Sequence, residues 1–232
     1  MKVVGIVSVC VGGSQSFFSQ FMGRCLSHYQ SRSPEIILHQ APFTEYQEAI
    51  DSKNLADFER PLLKSLKKLK QWGADFAVIP NNTVQAVVES IKAKSPIHIL
   101  NLVELVACEC AKQKVDKVLI LGTLQLIQSS VYQRELQKQN VNWGVLDLQS
   151  IELMTHEILA AMRLGGDTFS LSIELDAIVR DAARNYDVVL LACSELVEAY
   201  HGRLDTLTID PISLLAEQAI QKAMASNTNS EK

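Results

Sequence analysis

Val188-Val189-Leu190-Leu191-Ala192-Cys193-Ser194-Glu195 is the stretch on which the reading of the fold turns. Five apolar residues follow one another with no polar alternation, the pattern of a strand covered on both faces, as in a parallel sheet. The run stops at a thiol, a hydroxyl and a carboxylate, and Ser194–Tyr200 then reads as a helix. Earlier in the chain Phe76–Ile79 stops in the same way at Pro80-Asn81-Asn82-Thr83, ahead of a helix over Val84–Ala93.

Outward from these two junctions the chain alternates between strands and helices. Strands are expected at Val3–Val9, Ile36–His39, Ile97–Ile99, Val118–Leu121 and Trp143–Leu148, and helices at Ser16–Ser31, Leu55–Trp72, Val103–Lys112, Ser130–Gln139, Glu152–Leu164, Ser170–Asn185 and Leu214–Ala225. Leu55–Trp72 carries Phe58, Leu62, Leu66 and Leu69 on one face and its lysines largely on the other, and Gly73 marks its end. The segment 226–232 is a polar, frayed tail. This order predicts an α/β fold with parallel sheets flanked by helices.

A faint repeat runs through it. Asn81 and Cys193 are 112 residues apart, and Gln15 and Gln128, each ahead of a helix, are 113 apart. Two α/β lobes follow, with a ligand cleft at the carboxyl ends of their strands. Lobe 1 is expected to comprise residues 1–98 plus 206–232, and lobe 2 residues 99–205.

Composition narrows the functions. Among 232 residues, 47% are hydrophobic, and Lys+Arg 22 against Asp+Glu 26 gives a net charge of −4. No basic block appears, so a nucleic-acid partner is not expected. Apolar runs are strand-sized, which excludes a membrane span, and the start lacks a secretory signal. Five scattered cysteines point to unbridged thiols in a reducing cytoplasm.

Cys193 is the leading chemical candidate. It lies where a strand ends and a helix begins, at the sheet edge where α/β folds bind ligands, and a thiol there can carry a proton or attack an electrophile. Asn81, Asn82 and Thr83 occupy the equivalent junction, suited both to capping a helix and to holding a carboxylate. Gly12-Gly13-Ser14 and Gly122-Thr123 are further turns with exposed amides, neither of them a phosphate loop. Cys10, Cys25, Cys108 and Cys110 read as packing residues, and Cys108-Glu109-Cys110 has no second ligand pair, so no metal site is expected. The five histidines show no ligand pairing, and Asp210 reads as a helix cap.

These residues resemble the aspartate/glutamate racemase superfamily. Ile79-Pro80-Asn81-Asn82-Thr83 is similar to its first catalytic segment, Ile-Pro-Cys-Asn-Thr, and Leu191-Ala192-Cys193-Ser194-Glu195 to its second, Leu-Gly-Cys-Thr-Glu. Leu121-Gly122-Thr123 followed by Tyr132, Gly73-Ala74-Asp75 and Ser95-Pro96-Ile97 also match in order, and the resemblance spans nearly the whole chain. It implies two pseudo-symmetric lobes with the active site in the cleft between them, and racemisation without pyridoxal phosphate, metal or other cofactor. One cysteine removes the α-proton of an amino acid or dicarboxylate while another supplies one. It further implies that Asn82, Thr83, Ser194, Glu195, Gly122 and Thr123 bind substrate, and that the chain forms a homodimer.

The sequence departs from that pattern at the first catalytic cysteine, which is Asn81. An amide has no useful pKa near neutrality and cannot serve as a general base. Gln85 replaces a histidine or similar residue that follows the first segment. Cys10, just past the first strand, is the nearest candidate to supply the missing thiol. Three readings follow: a racemase centred on Cys193, a one-thiol enzyme that protonates a carbanion from one face as family decarboxylases do, and a binding protein that keeps the cleft without turnover.

Overall fold

The strand residues that read as apolar runs are the ones that end up inside. A computed structural model describes residues 1–30, 32–51, 54–164 and 169–225; the tail 226–232 lies outside the described residues. Contacts divide the chain into two units, Met1–Leu102 with the chain from Ile212 onward, and Val103–Pro211. The sequence had placed these divisions after residues 98 and 205.

Unit 1 carries β1 (Val4–Ser8), β2 (Ile36–Gln40), β3 (Phe76–Val78) and β4 (His98–Ile99) in the order β2-β1-β3-β4. Unit 2 carries β5 (Lys117–Leu121), β6 (Asn142–Gly144), β7 (Val188–Leu191) and β8 (Leu207–Ile209) in the order β6-β5-β7-β8. Every pairing is parallel. Parallel neighbours need crossovers, and helices supply them: α1 (Val11–His28), α2 (Phe43–Asp51), α3 (Glu59–Gln71, after a 3-10 turn at Leu55–Phe58), α4 (Gln85–Lys92) and α5 (Leu102–Lys112), then α6 (Leu124–Ser129), α7 (Val131–Lys138), α8 (Leu148–Leu164), α9 (Ile173–Ala183), α10 (Ser194–Tyr200) and α11 (Pro211–Met224). The central strands β1, β3 and β7 are buried throughout, whereas the edge strands β2, β4, β6 and β8 keep exposed positions.

The two units share a staple as well as a strand order. Asp75 Oδ2 accepts from Val3 N at 2.6 Å, and Asp187 Oδ2 accepts from Asp116 N and Lys117 N, each at 2.9 Å. Both aspartates immediately precede the second central strand, and they are 112 residues apart. Helix ends are closed alike. Gly73 (φ 99°) donates to Lys70 O while Ala74 N donates to Leu69 O, and Lys114 (φ 57°) and Asn140 (φ 58°) end α5 and α7 with the same pair of bonds. These left-handed closures satisfy the last carbonyls and turn the chain back toward the sheet.

Several expected elements differ. Helix α1 begins at Val11, so Gly12-Gly13-Ser14 forms its first turn and not a loop. The strand expected over Trp143–Leu148 stops at Gly144, and Leu148 already starts α8. Elements α2, α6 and β8 have no counterpart in the sequence reading. Residues Gln128 and Ser129 lie within α6, which breaks at Ser130, a non-glycine residue at φ 54°.

His39 is buried on β2 beside α3. The Ser65 hydroxyl donates to Pro61 O at 3.0 Å, so its oxygen accepts from His39 Nδ1, also at 3.0 Å. Burial first, then the charges of Lys68 and Lys64, hold this imidazole below its usual pKa. The unfolded chain therefore takes up the proton first as pH falls, and stability is lost from about pH 6.5 downward through the folded value. His39→Gln is expected to flatten the fall in unfolding free energy, measured by urea denaturation, between pH 7 and pH 5, by at most about 1.4 kcal/mol per pH unit. An unchanged slope would show that His39 titrates as in the unfolded chain.

Candidate functional site

In unit 1 the residues after β1 and β3 come together. Cys10 is the extended N-cap of α1 and is half-buried. Asn81, after β3, has both ends of its amide engaged: Oδ1 accepts from Val84 N at 3.1 Å, and Nδ2 donates to Cys10 Sγ at 3.3 Å. The backbone N–H at Val84 can be met only by the amide oxygen, which leaves the nitrogen for the sulfur. Gln85 is buried and donates through Nε2 to Ile79 O at 2.8 Å and Asn81 O at 3.0 Å. Its Oε1 has no hydrogen-bond partner among the described residues. Asn82 is buried and Thr83 half-buried.

The first turn of α1 lies hard against this loop. A Cβ on Gly13 would collide with the Pro80 carbonyl oxygen. Below it Ser14 Oγ donates to Ser8 Oγ at 2.9 Å, and Ser8 Oγ to Gln40 Oε1 at 3.2 Å. That chain of hydroxyls was not legible in advance, since Ser8 reads simply as the end of a strand.

In unit 2 Cys193, two residues past the end of β7, is the N-cap of α10, and it is half-buried. Its thiol donates to Glu195 Oε2 at 2.8 Å, and Ser194 Oγ donates to the same oxygen at 2.9 Å. The same side chain is packed, partly buried, against the apolar core of unit 2. Gly122 is buried next to this strand end, where a Cβ would lie 3.6 Å from Ala192 Cβ and 2.7 Å from Leu126 Cδ2. Thr123 is the N-cap of α6 but makes no cap bond through its side chain; Leu124 N donates instead to Thr155 Oγ1 at 2.8 Å. Thr155, on α8, thus caps the start of α6, and no motif in the sequence singles it out.

Other titratable groups separate into structural roles. Tyr132 is fully buried, and burial followed by the charge of Asp210 holds its phenol well above its usual pKa, so it remains neutral. Burial pushes the Cys110 thiol up to about 11 and raises that of Cys25, which suits packing and not chemistry. Among the described residues no group of three or more His, Cys, Asp or Glu is placed to hold a metal, and no helix is long and apolar enough to cross a membrane.

The sequence profile of Asp/Glu/hydantoin racemases matches residues 6–219. The broad specificity amino-acid racemase RacX of Bacillus subtilis (strain 168) is 22% identical over 194 residues, 83% of this chain and 83% of that protein. The fold is similar to that of an aspartate racemase homologue from Pyrococcus horikoshii, with TM-score 0.81, 20% identity, and coverage of 97% of this chain and 100% of that one. It is also similar to that of the Picrophilus torridus aspartate racemase, with TM-score 0.76, 21% identity, and coverage of 96% and 94%.

Substitutions at two positions check the geometry of unit 1. Gly13→Ala forces backbone apart and is expected to cost about 1–3 kcal/mol in urea denaturation. Asn81→Ala removes the bond to Val84 N and should cost about 1 kcal/mol, whereas Asn81→Asp keeps the capping oxygen and should cost less. A Gly13→Ala protein as stable as wild type would contradict the contact with Pro80.

Proposed function

The chain belongs to the Asp/Glu/hydantoin racemase family, and on that premise we propose that it inverts the α-carbon of aspartate or glutamate, with Cys193 as principal acid and base. Membership makes the chain an isomerase of the amino-acid racemase class. The observation that carries the finer reading is the bond from the Cys193 thiol to Glu195 Oε2. A thiol already donating to a carboxylate has a place to leave its proton. The resulting thiolate can take the proton from Cα, so that the C–H bond breaks, an S–H bond forms and the electron pair moves onto the substrate carboxylate. Return of a proton to the other side of the planar carbon completes inversion.

Substrate recognition is assigned to Asn82, Thr83, Gly122, Thr123, Ser194 and Glu195, with backbone and side-chain donors holding the α-carboxylate and countering the charge that develops on it. Asn81 cannot act as a base, because its oxygen is committed to Val84 N and its nitrogen only donates. Cys10, which receives that donation, is our candidate for the second proton carrier. No cofactor enters this scheme. The reducing cytoplasm is the compartment that suits five cysteines with no disulfide among them.

The test is proton NMR of each enantiomer of aspartate and glutamate in D₂O. Wild type is expected to wash deuterium into Cα with optical inversion, and Cys193→Ala to lose about 10²–10⁴-fold in rate, the usual contribution of a general acid–base group. Glu195→Gln should lower kcat more than it changes KM, and Cys10→Ala should slow inversion. Exchange with retention in a single enantiomer would replace inversion by one-face protonation. No exchange with any of the four substrates would overturn the assignment.

A further inference from the structure

Thr123 stands at the N-cap of α6 without doing what a threonine there ordinarily does. Its backbone is extended (φ −68°, ψ 157°), and its carbonyl accepts from Ile127 N at 3.0 Å, as an N-cap carbonyl should. The hydroxyl of such a residue normally closes its own helix by accepting from an N–H two or three positions on. Here it makes no such bond, and among the described residues it has no hydrogen-bond partner.

The first N–H of α6 is met from another helix. Leu124 N donates to Thr155 Oγ1 at 2.8 Å, and Thr155 Oγ1 donates to Ile151 O, one turn back in α8, at 2.7 Å. A hydroxyl has one hydrogen. Spending it on Ile151 O leaves the Thr155 oxygen a pure acceptor toward Leu124. Helix α8 itself gains nothing from threonine at this position. The residue is β-branched, suits a helix interior less well than leucine or alanine, and makes a bond to the preceding turn that is mildly destabilising. Its neighbours Ile151, Met154 and Ile158 are buried and apolar. The helix that threonine at 155 does serve is α6.

The hydroxyl so relieved follows the strand next to the one that leads to Cys193. Strands β5 and β7 run parallel with Leu121 opposite Leu191, and Ala192 N donates to Leu121 O at 2.9 Å. Gly122 brings the turn close to Ala192. Thr123 comes one residue after that contact on its strand, and Cys193 one residue after it on the other. We propose that Thr155 is a positioning residue: by capping α6 it leaves the Thr123 hydroxyl to hold the substrate carboxylate beside Cys193. The proposal rests on the reading above that Thr123 binds substrate. Thr155 itself touches no substrate and acts only through Thr123. Without its oxygen, the Thr123 hydroxyl turns inward and closes its own helix.

Valine keeps the shape of threonine and lacks its hydroxyl, so Thr123→Val, Thr155→Val and the double variant form a mutant cycle. In urea denaturation, Thr123→Val should leave the midpoint nearly unchanged in the wild-type background. It should lower the midpoint in the Thr155→Val background, where the Thr123 hydroxyl has become the cap. In turnover of aspartate or glutamate, Thr155→Val should raise KM about tenfold, the weight of one hydrogen bond to a charged group, with a smaller change in kcat. Thr155→Ser keeps the oxygen and should restore KM. In the Thr123→Val protein, Thr155→Val should change KM no further. Equal falls in midpoint with Thr123→Val in both backgrounds, or a Thr155→Val effect on KM that persists without the Thr123 hydroxyl, would overturn the proposal. A wild type that neither turns over nor binds these amino acids would overturn the substrate role of Thr123, while the urea cycle, which needs no substrate, still tests Thr155 as the cap of α6.

Discussion

The parallel pairing of the two central strands in each unit decides which residues can meet. In unit 1, β1 and β3 lie side by side with Ile6 opposite Val78. Two parallel strands end at the same edge, so the residues that follow them must emerge together. Cys10 and Asn81 are those residues, and the bond between them is a consequence of the ladder. In unit 2, Leu121 lies opposite Leu191, so Gly122 emerges beside Ala192 and the loop before α6 lies next to Cys193. No long-range recognition between side chains is needed to assemble either group. Chain order and parallel register suffice.

Helix packing then fixes how closely the groups approach. The first turn of α1 rests on the Pro80 carbonyl because Gly13 has no Cβ. A side chain there would lift the helix, and with it Cys10, away from Asn81. Glycine at 13 thus serves a close approach of backbone to backbone and not a reversal of direction. The pair Gly12-Gly13 mimics a turn in sequence for this reason, which is why α1 starts five residues before the position its hydrophobic spacing suggests.

What the sequence showed and what it hid follow from the same physics. Val188–Leu191 and Phe76–Val78 were legible because both of their faces are covered and nothing polar interrupts them. Cys193 was legible because it breaks such a run. Gly73 announced the end of α3 because a left-handed position there favours glycine, but Lys114 and Asn140 make the same closure with residues that carry no comparable signal. The edge strand β8 has three residues and mixed exposure, too short for a period of two to register. The break between α6 and α7 at Ser130 is backbone geometry imposed on an ordinary residue. Of the site, side-chain identities were readable, while the direction of each hydrogen bond was not. Asn81 looked like a lost cysteine, and only its bond to Cys10 shows a sulfur retained nearby.

That direction distinguishes two otherwise matching halves. Strand order and the aspartate staples at 75 and 187 are shared, and each unit has a sulfur just beyond one of its central strands, after β1 in unit 1 and after β7 in unit 2. The sulfur in unit 2 donates to a carboxylate; the sulfur in unit 1 receives from an amide. A carboxylate can accept a proton and later return it, whereas an amide nitrogen can only hold its neighbour in place. On the reading proposed above, Cys193 therefore has its own proton acceptor in Glu195, and Cys10 has none from Asn81. The repeated strand order thus puts the two thiols at different junctions, Cys10 after the first central strand of unit 1 and Cys193 after the second central strand of unit 2, and one neighbouring side chain in each unit, Asn81 or Glu195, gives each sulfur a different hydrogen-bond role.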